Sequence, residues 1–457
     1  MSDDAPTGTK GALWATVLGS GVAMVDGSVV NVALPAIAKA LEADAAGVQW
    51  IVNGYMLPLG ALVLVGGALA DSIGRKAVFL AGLLLFALAS VGCMAAPTLG
   101  WLIAARVGQG IGAALLTPAS LAILGADFDG EARAKAIGTW AAAGAIAAAI
   151  GPILGGWLVD AVGWRWVFGL IIPLAVGAAA LAILFVEGGH DPEAPPPDWI
   201  GGALATIGLA LLIWGLTMAT SGGAHPWLYL AGGVVAAGAF LWWESRCGNR
   251  AMVPLGLFAT RAFSAITVLT FLLYAALSGA LLLLPYLLIS TGWKATAAGA
   301  AVLPLPIIMG AGSRFSGLVA ERIGARWMLA VGPVIVGIGF ALLWRVPGEN
   351  IEFLPHLLPA MLAIGLGMTI AVAPLTTTVM ASVDRHHAGA ASGVNNATAR
   401  IGGMVAVALI GLVLTGGGRG VSIDAFHVAA LVAGAVAVLA GLAGWFSLAG
   451  ADPARAG

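Results

Sequence analysis

Four charged side chains fall inside stretches that are otherwise continuously apolar: Asp26, Arg106, Arg314 and Arg400. Each costs roughly 2.5–3.5 kcal/mol at the centre of a bilayer on insertion scales, so each needs a partner or a purpose. Asp26 is the one acid among them. It precedes the expected outer end of its span by about 8 residues, a depth of about 12 Å at 1.5 Å per residue. Arg106 lies about 6 residues inside the outer end of another span, about 9 Å deep. A carboxylate beside a guanidinium that cannot deprotonate holds a proton only as its access to water allows. Such an acid can load a proton on one side of a membrane and release it on the other. The same pair could also serve as a static ion pair that only holds two helices together. Arg314 and Arg400 sit near the inner ends of their spans, where arginine can reach water, and that reading is preferred to a substrate contact.

Uncharged polar residues extend the pattern. Arg106, Gln109, Ala113, Thr117 and Ser120 share one helical face, as do Thr267, Thr270, Tyr274 and Ser278. In lipid such stripes turn toward protein or water. Asn31, Tyr55, Gln109, Thr117, Thr270 and Tyr274 are therefore candidates for lining a cavity, although helix–helix hydrogen bonding explains them equally well. Ala143, Ala147, Gly151 and Gly155 form a face of small residues that lets two helices approach closely. Pro152 should kink that helix, which makes it a hinge, a tight seal or simple packing. The segment 67–76 has glycine at both turns and pairs Asp71 with Arg75 at i+4, as a latch or as a plain topogenic signal.

These residues must be positioned by elements that live in lipid. The chain has 457 residues, of which only 9% are charged and 60% hydrophobic; a soluble domain is about 25% charged. Fourteen stretches have the length needed to cross about 30 Å of hydrocarbon. They lie near 12–34, 48–70, 77–96, 100–122, 136–159, 164–186, 199–220, 226–243, 263–289, 295–316, 327–345, 355–381, 394–416 and 425–449. Lipid satisfies no backbone hydrogen bond, so runs this long and apolar are helices. The start, MSDDAPTGTKG, is acidic, and the first stretch is kept as a span rather than a signal peptide. The net charge of −1 excludes a polybasic nucleic-acid binder. Cys93 and Cys247 fall on opposite sides of the bilayer and are expected to form no bridge.

Basic residues set the orientation. Twelve, including Lys10, Arg75, Lys76, Arg133, Lys135, Arg250, Arg385 and Arg455, fall in the termini and even-numbered loops. The odd loops hold Lys39, Arg165, Lys294, Arg345 and Arg419. The excess puts both termini in the cytoplasm.

The chain also repeats itself. GALADSIGRKAVFLAG (67–82) aligns with GLVAERIGARWMLAVG (317–332), and Pro35 and Pro285 keep the same offset of 250. Gly112 and Gly367, and Pro118 and Pro374, follow at nearly that offset. Two homologous halves of six spans thus flank an inserted pair. The expected divisions are an N-terminal half (1–186), an acidic, Pro-rich cytoplasmic linker (187–198), the inserted pair (199–243), a cytoplasmic loop (244–262) and a C-terminal half (263–457). Repeated six-helix halves are the architecture of secondary transporters, which rock about a midplane site.

Taken in order, the motifs resemble the fourteen-span drug:proton antiporters of the major facilitator superfamily over nearly the whole chain. They are DGSVVNVALP (26–35), GALADSIGRK (67–76), RVGQGIGAA (106–114), GPILGG (151–156) with Gly144 upstream, and WRWVF (164–168). Two departures stand out: Ile171 replaces the family's usual Asn, and Ser72 stands where Arg or Lys is common. The resemblance implies an all-α polytopic major facilitator fold of fourteen helices (6+2+6) in a bacterial cytoplasmic membrane. It implies proton-coupled export with Asp26 as proton carrier and Arg106 as its partner. Gly67, Asp71, Gly74, Arg75 and Lys76 would belong to a cytoplasmic gate, and Gly144, Gly151, Pro152, Gly155 and Gly156 to a kinked antiporter helix.

The expected function is export of small amphipathic compounds such as drugs or antibiotics, powered by a proton gradient, by a monomer with no metal and no cofactor. Cation-exporting relatives use further intramembrane acids, so neutral, zwitterionic or anionic lipophilic substrates are expected over dications. A dedicated exporter of one self-made metabolite or lipid is the alternative. A channel is a further alternative. A membrane enzyme fits less well. Intramembrane aspartyl chemistry needs two carboxylates, and His190, His225, His356, His386, His387 and His427 lie in loops or at span edges. The glycines of GQGIG (108–112) lack the Lys-Ser/Thr of a phosphate loop.

Overall fold

The computed structural model describes residues 7–189, 197–248, 251–384, 388–414 and 421–447. Residues 190–196 of the expected linker lie outside these, as do Arg250, Arg385, Arg419 and Arg455. Arg314 lies outside the residues whose side chains are described. Among the described residues there is no strand, and fourteen helices are long and apolar enough to cross a membrane. In chain order they are α1 (Thr9–Ala40), α2 (Ala45–Ile73), α3 (Arg75–Met94), α4 (Leu99–Asp127), α5 (Gly130–Ala161), α6 (Arg165–Phe185) and α7 (Trp199–Ser221). There follow α8 (Pro226–Cys247), α9 (Arg261–Ser290), α10 (Ala295–Ser313), α11 (Ala325–Arg345), α12 (Phe353–Ala381), α13 (Gly389–Leu414) and α14 (Ile423–Phe446).

Local chemistry marks the helix ends. Asp44 caps α2 by accepting from the Gly47 amide at 2.8 Å, and Thr98 caps α4 by accepting from Trp101 at 3.3 Å. Between α2 and α3 the chain turns at Gly74 with φ of 124°, a conformation that side chains resist. The helix that continues from α10 ends in the same way at Gly324, with φ of 86°. Several helices depart from simple rods: α13 is interrupted at Ile410, and α11 ends in a 3-10 turn over Leu343–Arg345. α6 is interrupted at Leu170, where Pro173 has no N–H to give the preceding turn, and α10 breaks just before Pro304.

The chain forms two compact units. The first comprises residues 1–212 and 228–252, the second residues 213–227 and 253–457. The inserted pair is thus shared: α8 and the first part of α7 belong with α1–α6, and the rest of α7 with the second unit. There Thr220 donates to the carbonyl of Ala408 on α13 at 3.0 Å. α8 also runs on to Cys247, past the expected loop start at 244. This places Glu244 in its last turn, 3% exposed, facing Gly201 beside Asp198.

The repeat seen in the sequence is carried by equivalent contacts. In the first unit Gly82 of α3 and Gly112 of α4 face each other so closely that a methyl group on either would sit 3.0 Å from the other's carbonyl oxygen. In the second, Gly332 of α11 and Gly367 of α12 face each other in the same way, at 2.8 and 2.6 Å. Basic side chains repeat as well. Lys76 Nζ donates to the carbonyl of Ile183 near the end of α6 at 3.0 Å, and Arg326 Nε to that of Trp445 near the end of α14 at 3.1 Å. In each case a cation meets the negative end of the sixth helix of its half.

Glycine also sets the α2–α4 crossing, since a methyl at Gly110 would run into the Tyr55 carbonyl and the Pro58 ring, whereas Gly125 faces open space. Gly110→Ala should therefore lower the thermal midpoint in detergent by several degrees. Gly125→Ala should leave it unchanged or raise it slightly, alanine being about 1 kcal/mol the better helix former. Equal responses would contradict the crossing.

Candidate functional site

The residues with the clearest chemical potential converge in the first unit. α1 runs to Ala40 rather than ending near 34, so Asp26 lies close to its middle. α4 carries Arg106 two turns from its start. The two meet: Arg106 Nη1 donates to Asp26 Oδ2. Asp26 is 0% exposed and Arg106 1%. Four further contacts hold the guanidinium. Its Nε donates to the carbonyl of Ile51 on α2 at 3.1 Å. Its Nη1 also reaches Gln109 Oε1 at 2.8 Å. Its carbon lies 4.4 Å from the centre of the Tyr55 ring and 5.9 Å from that of Phe168 on α6, within cation–π range.

Gln109, one turn further along α4, completes the carboxylate's shell. Its Nε2 donates to Asp26 Oδ1 at 3.2 Å and to Ser90 Oγ on α3 at 2.8 Å. Cys93 Sγ, one turn beyond Ser90, donates to Gln109 Oε1 at 3.3 Å. The Ser90 hydroxyl in turn donates to the Phe86 carbonyl at 2.7 Å. Tyr55 donates to the Ala23 carbonyl at 2.9 Å and so pins α2 to α1. Further along the same two helices, Ser20 of α1 donates to Ser120 of α4 at 2.7 Å. Charge and polarity are sealed from water, yet satisfied.

The small-residue helix α5 frames this site. A methyl at Gly144 would strike the Met24 thioether, one at Gly151 would strike the Ser28 hydroxyl, and one at Gly155 would lie 2.8 Å from the Val29 carbonyl. These glycines, with the buried Gly156 and the internal Pro152, let α5 lie on the backbone of α1 on either side of Asp26. The cytoplasmic-gate candidates lie elsewhere in the unit. Asp71 and Arg75 pair at 4.0 Å, half-exposed, and the Arg75 amide donates to the Gly189 carbonyl at 3.1 Å. Gly67 lies against Pro118.

The other cavity candidates do not join the network. Asn31 is half-buried on α1, and half-buried Thr117 returns its hydroxyl to the Ala113 carbonyl at 3.1 Å. Thr270 and Tyr274 belong to the second unit, where buried Thr270 donates to Asn395 Oδ1 of α13 at 2.7 Å and Tyr274 is half-buried. Arg400 is half-buried on α13. Sequence reasoning missed Ser90, Cys93, Phe168 and Asn395. The only signal was the i, i+3 spacing of Ser90 and Cys93, within a stretch whose apolarity drew attention first.

The fold is that of polytopic membrane transporters. The solved structure of a POT family transporter in complex with a thioalcohol-conjugated peptide superposes with a TM-score of 0.72 at 14% identity, over 96% of both chains. Sequence is more specific. The family model of the Major Facilitator Superfamily matches residues 16–214 and 266–457. A probable actinorhodin transporter of Streptomyces coelicolor is 34% identical over 90% of this chain and 73% of its own. The drug efflux pump JefA of Mycobacterium tuberculosis is 31% identical over 88% of this chain and 79% of its own. The chain belongs to the Major Facilitator Superfamily.

Removing one member of a sealed ion pair leaves the other charge uncompensated, at a cost of about 3–5 kcal/mol. Arg106→Ala should therefore lower the thermal midpoint in detergent more than the double variant Asp26→Asn/Arg106→Ala does. A double variant no more stable than the single one would show that the two charges do not depend on each other.

Proposed function

We propose that the protein is a proton-coupled antiporter that exports small amphipathic compounds, such as drugs or antibiotics, by alternating access. The observation that carries this reading is the sealed Asp26–Arg106 pair in a helix bundle framed by close-packed glycines. A carboxylate can exist in two charge states and its partner in only one, so exposure to water on either side decides whether Asp26 holds a proton. A neutral Asp26 holds Arg106 only through an uncharged carbonyl oxygen, a weaker bond, which gives the two protonation states different packing between α1 and α4. Conversion between inward- and outward-open forms can then be tied to proton uptake and release.

The names of similar proteins support the export direction, since one is a drug efflux pump. A second reading is export of one self-made compound, which the similarity to a probable actinorhodin transporter favours. Both use the same chemistry and differ only in the breadth of the substrate site. No acid besides Asp26 sits mid-span, so the preferred substrates are lipophilic and neutral, zwitterionic or anionic rather than dicationic. The protein spans the cytoplasmic membrane of a bacterium as a monomer with both termini inside, as its loop arginines and lysines direct. Asp71, Arg75 and Lys76 serve the cytoplasmic gate. No cofactor beyond the proton gradient is called for.

The test is transport into proteoliposomes of a panel of dyes and antibiotics under an imposed pH gradient. The wild type should move substrate uphill, and Asp26→Asn should lose gradient-driven accumulation while still binding substrate. Uphill transport by Asp26→Asn at the wild-type rate would contradict the reading.

A further inference from the structure

The side-chain amide of Gln109 has two N–H donors and a carbonyl oxygen with two lone pairs. All four are engaged: the donors by Asp26 Oδ1 and Ser90, the lone pairs by Arg106 Nη1 and Cys93. The side chain is 0% exposed. Its orientation is dictated by Arg106, which can only donate and so must face the carbonyl oxygen. Ser90 and Cys93 impose no such choice, because a hydroxyl and a thiol can each donate or accept. One partner of Gln109 is therefore selective and two are indifferent. The fourth, Asp26, changes from acceptor to donor when it takes up a proton.

We propose that Gln109 is the positioning residue that turns proton uptake by Asp26 into the release of Arg106. This rests on proton coupling at Asp26 as read above. The proton comes from water on the open side, an O–H bond forms at Asp26 Oδ1, the oxygen not facing the guanidinium, and the carboxylate loses its charge. The new O–H then points at a Gln109 N–H, donor against donor. A half-turn of the amide relieves the clash by bringing Oε1 to Asp26 and Nε2 toward Arg106 and Cys93. Ser90 and Cys93 follow by reversing their roles. Arg106 cannot: it loses Gln109 together with the charge of Asp26, whose Oδ2 is left facing it as a neutral carbonyl acceptor. It keeps the Ile51 carbonyl and the Tyr55 ring, both on α2. The α1–α4 tie weakens from an ion pair to hydrogen bonds with uncharged acceptors while the α2–α4 tie holds.

The surroundings leave this part to Gln109. Among the described residues, the charged or titratable side chains that meet the Asp26–Gln109 cluster are Arg106 of α4, Tyr55 of α2 and Cys93 of α3. α5 presents Gly151 and Gly155 to α1, and α6 presents Phe168 to Arg106. Tyr55 keeps its hydroxyl on the Ala23 carbonyl, outside the exchange.

The experiment combines infrared difference spectra between high and low pH with the distance between fluorophores at the outer ends of α1 and α4, on the full-length protein. The wild type should show a carboxyl band from Asp26, a concurrent shift of a side-chain amide band, and a change in distance. Gln109→Leu should keep the carboxyl band and lose both other signals, and its uphill transport should fall by about tenfold or more, an ordinary coupling energy. A Gln109→Leu protein that keeps the distance change overturns the inference and leaves proton coupling standing. A carboxyl band that survives in Asp26→Asn overturns both. Should Gln109→Leu not fold, Cys93 decides. Cys93→Ser can still accept from the turned amide and should respond like the wild type, whereas Cys93→Val cannot and should lose most of the distance change. Identical responses from the two would overturn the inference.

Discussion

A charge moved from water into an apolar interior costs several kcal/mol even after relaxation, and the protein has sealed two together. The Asp26–Arg106 pair is the constraint that the first unit is built around. Five helices supply its shell: α1 the carboxylate, α4 the guanidinium and Gln109, α2 a backbone carbonyl and an aromatic face, α3 a hydroxyl and a thiol, and α6 a second aromatic ring. That shell requires helices at close range. Glycines provide it at the α2–α4, α3–α4 and α1–α5 crossings, through Gly110, Gly82 with Gly112, and Gly151 with Gly155. In lipid, where burying a side chain against a neighbour gains little over burying it in acyl chains, such packing is a main source of helix association.

The two halves share this scaffold but not its mid-helix acid. Gly332 and Gly367 reproduce the glycine contact, Gly324 the positive-φ turn, and Arg326 the cation at the end of the sixth helix. At the offset of 250, however, Asp26 is matched by Ala276. The corresponding helix of the second unit offers instead a neutral hydrogen bond, Thr270 to Asn395.

Much of this was legible in the sequence because the bilayer leaves few choices. Uninterrupted apolar runs specify helices, and a lone acid among them stands out for the energy it must recover. The pairing of Asp26 with Arg106 followed from matched depth, and the repeat from landmarks at constant offset. What escaped notice was of two kinds. Ser90 and Cys93 are small and cheap to bury, so their presence in an apolar span raises no alarm, although they fix the far side of Gln109. Helix ends were misjudged where charged residues continue a helix beyond its apolar run, as at Lys39 in α1 and Glu244 in α8. Hydropathy sees the hydrocarbon, whereas the helix persists into the interface. Which stripe residues would turn inward was also open: Gln109 joins the charged pair, while Thr117, on the same face two turns on, bonds back to its own helix.

If Asp26 exchanges its proton in step with substrate, binding one releases the other. The most direct measurement is the pH change when substrate is added to detergent-solubilised protein in weakly buffered solution, followed with an indicator dye. Wild-type protein should release protons on binding, and Asp26→Asn should bind substrate with no release. Equal release from both proteins would show that the coupling proton resides elsewhere.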